Sequence, residues 1–196
     1  MQDAAGSEWR RGTLMPRCFI AVAVDHQLGL ELIGLRDRAM DHLRAARPRA
    51  VPAGNFHLTL AFLGELPEAR LAALQSCIDG LVQAEQPGNI ALTHASCFPD
   101  AKSRVFAAQG EADPSASRLY RHLRTALADK GFLMAHQEFR PHITLARLAH
   151  SFVPAPRWPL ALALPVDGLA LYESVQRQGE VRYRLLRRWE LIVAEH

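Results

Sequence analysis

The segment His57-Leu58-Thr59-Leu60-Ala61-Phe62-Leu63 returns as His142-Ile143-Thr144-Leu145-Ala146-Arg147-Leu148, so His-x-Thr-Leu-Ala-x-Leu occurs twice, 85 residues apart. The chain has only five threonines, and two of them stand two places after a histidine with leucine next. Both segments alternate polar and apolar residues and read as strands. Alternate residues of a strand share a face, so His57 and Thr59 point the same way, about 6.6 Å apart along the chain, while Leu58 and Leu60 turn to the core. His142 and Thr144 repeat this, with Ile143 and Leu145 inward. One such strand is readily a half-exposed strand whose polar face happens to carry these residues. Two of them argue for two related halves whose polar faces meet.

The rest of the chain supplies the elements such halves need. Arg17–Asp25 is rich in β-branched and aromatic residues and reads as a buried strand. Residues 27–46 carry Leu28, Leu32, Leu35 and Leu43 at helical spacing and stop before Pro48. Pro67-Glu68 opens a helix with Leu71, Leu74, Ile78, Leu81 and Val82 on one face, and Pro114 opens another with Leu119, Leu123 and Leu127, ending near Gly131. Further strands are expected at Phe56–Leu63, Ile90–Phe98, Arg104–Gln109, Phe139–Leu148, Leu160–Leu164, Gly168–Ser174 and Val181–Val193, with 154–159 a Pro-rich connector. Mixed elements with short hairpin connections favour an α+β fold over a doubly wound one. The expected architecture is two pseudo-symmetric lobes, each an antiparallel sheet with helices packed outside, and a cleft between them. Residues 1–14 are polar and aperiodic and read as a flexible extension, leaving 15–196 as one bilobed domain.

Composition removes other classes. With 49% hydrophobic and 22% charged residues the chain is too apolar for disorder, and no apolar run approaches the roughly 20 residues of a membrane span. A net charge of +3 permits an anionic ligand without arguing for nonspecific duplex binding. Cys18, Cys77 and Cys97 are odd in number and match no zinc spacing, so they read as reduced thiols of a cytoplasmic protein. Neither a secretory signal nor a Gly-rich phosphate loop is evident.

A cleft holding two imidazoles and two hydroxyls suits in-line displacement at phosphorus. Two histidines with ordinary pKa values near 6.5 can hold opposite protonation states, one as base and one as acid. Threonine hydroxyls steady phosphoryl oxygens without adding charge. No metal or other cofactor is expected, because neither motif supplies a third ligand at recognisable spacing.

Asn55-Phe56-His57-Leu58-Thr59-Leu60-Ala61-Phe62-Leu63-Gly64-Glu65 and Phe139-Arg140-Pro141-His142-Ile143-Thr144-Leu145-Ala146-Arg147 together resemble the paired motifs of the 2H phosphoesterase superfamily. Within it, the chain looks like the RNA 2',3'-cyclic phosphodiesterases, also called 2'-5' RNA ligases. Arg17–Ala21, Leu171–Ser174 and Tyr183–Leu186 resemble the opening strand and closing pair of that family, so the resemblance covers about residues 15–193. Ala50-Val51-Pro52 departs from the pattern, since members often carry a tryptophan there. The resemblance implies hydrolysis of RNA 2',3'-cyclic phosphate ends to 2'-phosphates, with His57 as proton donor to the leaving 3' oxygen and His142 as base on water. It also implies an ATP-independent 2'-5' ligation activity, the roles exchanging when the reaction runs in reverse. Thr59 and Thr144 would contact the phosphate.

Arg147 occupies a place where the family often carries arginine, and guanidinium suits phosphate. Strict alternation nevertheless puts it on the face opposite His142 and Thr144. It reaches the cleft only if the strand twists, bulges or ends there, and is otherwise a surface arginine. Phe19 either stacks on a base or belongs to the core of its strand. His42 and His122 lie on helices and read as solvent-facing, and His94, His136 and His150 have no threonine at that spacing, so none of the five takes a role. The expected partner is an RNA end or oligonucleotide bearing a 2',3'-cyclic phosphate, bound by a monomer away from any membrane. The alternatives are an RNA-end binding module without useful catalysis, or the same chemistry on small cyclic phosphates or 2'-5' oligonucleotides.

Overall fold

A computed structural model describes residues 16–133, 138–151, 156–177 and 179–192. The expected extension 1–14, Met15, His136 and part of the connector 154–159 lie outside these. The elements are β1 (Arg17–Ala23), α1 (His26–His42), β2 (Arg49–Ala50), β3 (His57–Glu65), α2 (Glu68–Val82), β4 (Gly88–Phe98), β5 (Val105–Ala112), α3 (Pro114–Asp129), β6 (His142–Arg147), β7 (Trp158–Val166), β8 (Gly168–Arg177) and β9 (Glu180–Glu190).

All strand pairs are antiparallel, in the order β7-β4-β5-β6-β3-β1-β8-β9, with β2 added on β6. The two repeat strands are thus central neighbours. Four strands lie on each side of the seam between β6 and β3, which makes the two lobes of the α+β fold. A β-helix-β unit recurs across that seam, β1-α1-β3 in one lobe and β5-α3-β6 in the other.

The helices start where their sequences provide caps. Asp25 accepts the Leu28 amide at 2.8 Å and Asp113 accepts the Ala116 amide at 2.7 Å, satisfying amides that have no partner inside the helix. α1 buries Leu28, Leu32, Leu35 and Ala39, and α3 buries Leu119, Leu123 and Leu127. α1 lies against β6 and β7 although it follows β1 in the chain, so the two lobes are interlocked. α2 is tied to β9 through Asp79, which accepts from the Arg187 guanidinium and from the Trp189 indole at 2.7 Å.

Two expectations shift. The helix foreseen over 27–46 ends at His42 and is followed by a single 3-10 turn, Arg44–Ala46. The two-residue strand β2 is new, because no alternation signals so short an element. Cys18, Cys77 and Cys97 are free thiols, and burial, with Glu173 nearby, pushes the Cys18 thiol up to about 11. Among the described residues no helix is long and apolar enough to cross a membrane.

Candidate active site

β3 and β6 meet through one register pair, Leu58 opposite Ile143. Both side chains are fully buried, and the flanking residues on each strand face the other way. Because the strands run antiparallel, His57 falls beside Thr144 and Thr59 beside His142. The four residues singled out by the repeat therefore come together in one cleft, which has a volume of about 490 Å³.

The two histidines are held alike. The His57 ring is 2.8 Å from the Asn55 carbonyl through Nδ1, and the His142 ring is 2.9 Å from the Arg140 carbonyl through the same atom. A carbonyl only accepts, so each Nδ1 carries the proton and each Nε2 is left for chemistry. In both motifs the acceptor lies two residues before the histidine. Among the described residues the hydroxyls of Thr59 and Thr144 have no hydrogen-bond partner, so they too are available.

The ring environments differ. His57 sits among aromatic side chains: Phe19 at 4.8 Å, Tyr183 edge-on at 4.9 Å and Tyr172 at 6.4 Å between ring centres. Burial lowers its pKa to about 4, with His142 and Arg147 pushing the same way and the Asn55 carbonyl opposing them. His142 stacks on Phe98 at 3.8 Å, and burial lowers its pKa as well, against the pull of the Arg140 carbonyl. The Arg140 guanidinium lies over Phe98 at 5.1 Å and donates to the Pro99 carbonyl at 2.8 Å, holding this wall of the cleft.

Arg147 lines the cleft, and the reason corrects the alternation argument. Between Thr144 and Ala146 the pairing of β6 with β5 skips Leu145, and between Thr59 and Ala61 the pairing of β3 with β1 skips Leu60. Each motif strand therefore bulges at its third residue after histidine. Two consecutive residues are buried there, and the phase of the strand reverses. Arg147 and its counterpart Phe62 are thereby returned to the cleft side, and Phe62 is 72% exposed at its mouth.

Phe19 needs the opposite correction. It is 3% exposed and does not line the cleft, so no face is free for a base. Its ring packs beneath His57 and against Tyr172 at 5.4 Å, making it part of the wall that desolvates the imidazole. Several lining residues went unsignalled in the sequence, namely Arg49, Asn55, Phe62, Phe98, Glu180 and Tyr183. Asn55 is buried and its side-chain amide donates to the Val181 carbonyl at 2.8 Å, which fixes the start of β9 at the cleft rim. Only its place directly before Phe56-His57 marked it.

The sequence profile of the 2'-5' RNA ligase superfamily matches residues 34–177. The chain is 32% identical to an RNA 2',3'-cyclic phosphodiesterase of Escherichia coli over 176 residues, covering 89% of this chain and 96% of that protein. It is 31% identical to a protein of the same name from Thermus thermophilus over 188 residues, with 89% and 90% covered. A crystal structure of E. coli LigT complexed with 3'-AMP superposes with a TM-score of 0.74 at 31% identity, covering 90% of this chain and 98% of that one. The fold is α+β, and its cleft holds the two histidine-threonine strands side by side. The chain belongs to the 2'-5' RNA ligase superfamily.

Proposed function

We propose that the protein hydrolyses the 2',3'-cyclic phosphate at RNA ends to a 2'-phosphate. The observation that carries this reading is the pair of Nδ1-anchored histidines, His57 and His142, set beside the threonine hydroxyls of the opposite motif across the Leu58–Ile143 seam. The names of the E. coli and T. thermophilus relatives support the substrate class.

In the reaction His142 Nε2 takes a proton from water as its oxygen bonds to phosphorus. The bond from phosphorus to O3' breaks, and His57 gives its Nε2 proton to that oxygen. The 2'-phosphate and 3'-hydroxyl are the products. Thr59 and Thr144 donate to the non-bridging oxygens, whose charge grows in the transition state. Replacing water by the 5'-hydroxyl of a second RNA gives a 2'-5' linkage by the same steps.

The acid role requires His57 to carry a proton on Nε2 when substrate is bound, against a lowered pKa. In the free protein burial and the neighbouring positive charges keep both rings neutral near pH 7. A phosphodiester anion placed among His57, His142 and Arg147 offsets that repulsion and favours protonation of one ring.

The test offers the purified protein a nucleoside 2',3'-cyclic phosphate and a 2'-5' dinucleotide separately, with a chelator present, and identifies the phosphate position in each product. A 2'-phosphate formed from the cyclic substrate supports the reading. His57→Ala and His142→Ala each lower kcat by about 10²-fold or more, the scale of one general acid or base. Turnover undiminished in either variant, or a 3'-phosphate product, overturns it.

A further inference from the structure

The two histidines are braced by one device used twice. Asn55 stands two residues before His57, and Arg140 two before His142. Each gives its backbone carbonyl to the Nδ1 proton of its histidine, at 2.8 and 2.9 Å. Each also sends a side-chain N–H to a backbone carbonyl of a neighbouring element. Asn55 donates to Val181 of β9 and Arg140 to Pro99 of the turn after β4, both at 2.8 Å. That second element carries an aromatic ring that packs on the histidine. Tyr183 lies two residues beyond Val181 and meets His57 edge-on at 4.9 Å, while Phe98 precedes Pro99 and stacks on His142 at 3.8 Å. One residue thus holds the imidazole by its main chain and the aromatic wall by its side chain.

The two braces differ in charge. Asn55 is neutral and buried, whereas Arg140 is an exposed cation. Its guanidinium lies 5.1 Å from the centre of Phe98, which itself lies 3.8 Å from His142, so the charge stands at most about 9 Å from the imidazole. Among the described residues no carboxylate lies within ion-pair distance of Arg140, and it does not line the cleft. The other groups around His142 are placed differently. His57, Arg49 and Arg147 line the cleft with it, where a bound phosphodiester reaches them. β5 sets the uncharged Gln109 opposite it. The turn between β4 and β5 carries Lys102 and also Asp100, whose carboxylate accepts from the Lys102 amide at 2.8 Å and the Ser103 hydroxyl at 3.1 Å. Burial lowers the pKa of His142, the Arg140 carbonyl opposes this, and the Arg140 guanidinium lowers it further.

We propose that Arg140 is a positioning residue for the base: it fixes the His142 ring against Phe98 and keeps beside it a positive charge that lies outside the substrate cleft. The ring that takes a proton from water must stay neutral as an anion enters, and that anion attracts a proton to either histidine. His57 is walled by three aromatic rings and His142, among the described residues, by one, so burial alone protects the base less well. Arg140 adds the opposition that burial does not supply. At the first motif the same place holds a neutral asparagine, as suits a ring that must carry a proton to act as acid. This inference rests on the acid and base roles proposed for the same cleft.

The test follows the ring-proton chemical shifts of both histidines against pH in wild type, Arg140→Gln and Arg140→Lys. Over the same range kcat/KM is measured for a nucleoside 2',3'-cyclic phosphate. The backbone carbonyl that holds Nδ1 is present in all three proteins. In Arg140→Gln the His142 titration moves up by about half a pH unit, the size of one charge acting at roughly 9 Å in a largely hydrated site, and His57 stays in place. The acid limb of kcat/KM moves up with it, so activity on that limb falls about threefold. Arg140→Lys keeps the charge and restores most of both. In 1 M salt the gap between wild type and Arg140→Gln narrows. A His142 titration unmoved in Arg140→Gln overturns the proposal, as does an equal movement of both rings. A shift that Arg140→Lys does not restore and salt does not narrow overturns it too, since lost packing on Phe98 would then be the cause. If wild type hydrolyses no cyclic phosphate while His142 titrates as stated, the hydrolase reading fails and the hold of Arg140 on the ring stands. If turnover proceeds and His142 titrates alike in all three proteins, the Arg140 proposal alone fails.

Discussion

Leu58 and Ile143 face each other across the junction of the two lobes, each with 0% of its surface exposed, and their pairing is the one register contact between β3 and β6. The four motif side chains are positioned by that pair. Turned inward, they force His57, Thr59, His142 and Thr144 outward into one cleft, and their antiparallel register sets each histidine beside the threonine of the other motif. A slip by one residue on either strand would bury an imidazole and expose a leucine or isoleucine.

Truncating this seam is expected to affect stability and chemistry together. Ile143→Ala removes a fully buried side chain and costs about 2–5 kcal/mol, whereas Ile143→Val costs about 0.5–1.5 kcal/mol. Urea unfolding measures both. In the folded fraction Ile143→Ala lowers kcat more than it raises KM, because it loosens the relation of the two rings rather than removing a contact with substrate.

The lowered pKa of His57 gives stability a pH dependence of definite sign. Between its ordinary value of 6.5 and its folded value of about 4, the unfolded chain binds a proton at this site and the folded protein does not. Stability attached to His57 is thus fully present above pH 6.5 and is lost as pH falls toward 4. Denaturation midpoints measured at pH 7 and pH 4.5 should differ less in His57→Gln than in wild type. An equal drop in both proteins would show that His57 is not the group responsible.

Much of this site was legible in the chain because strand periodicity and a repeat are local signals. His57, Thr59, His142 and Thr144 could be named from spacing alone, since alternate residues of a strand share a face. The bulges at Leu60 and Leu145 were not legible. Nothing in Thr-Leu-Ala distinguishes a bulged strand from a regular one, and the pairing partners that reveal the skip lie far off in sequence. Strict alternation therefore misplaced Arg147 and overlooked Phe62. Phe19 failed for a related reason, since its strand face points to the cleft side but is covered by His57, Tyr172 and Tyr183. Arg49 lies on a strand too short to have a period.

His142 owes part of its lowered pKa to Phe98, which stacks on the ring and keeps water from it. Phe98→Ala should move the His142 titration upward toward 6.5, as read from its ring-proton chemical shifts, and leave His57 at its low value. The acid limb of kcat/KM then shifts upward with it, if His142 is the base that must be neutral to accept a proton from water. A pH profile that stays in place while the ring titration moves would assign the base role elsewhere.

Asn55 couples the first motif to the cleft rim in a way that separates its backbone from its side chain. The carbonyl accepts the Nδ1 proton of His57, while the amide side chain, in a residue only 7% exposed, donates to the Val181 carbonyl. Asn55→Ala leaves the first bond possible and abolishes the second, freeing a carbonyl at the cleft rim. The expected cost is about 0.5–1.5 kcal/mol of stability, the net worth of one hydrogen bond, since water in the cleft can reach the freed carbonyl. The start of β9 carries Glu180, Val181 and Tyr183 into the cleft lining, so loosening it also raises KM. Because Tyr183 packs edge-on against His57, the ring becomes better hydrated and its pKa rises from about 4. Hydrogen exchange at the amides of β9, read beside the His57 titration, checks both consequences in one sample. Faster exchange with an unmoved His57 pKa would mean that Phe19 and Tyr172 alone desolvate the imidazole.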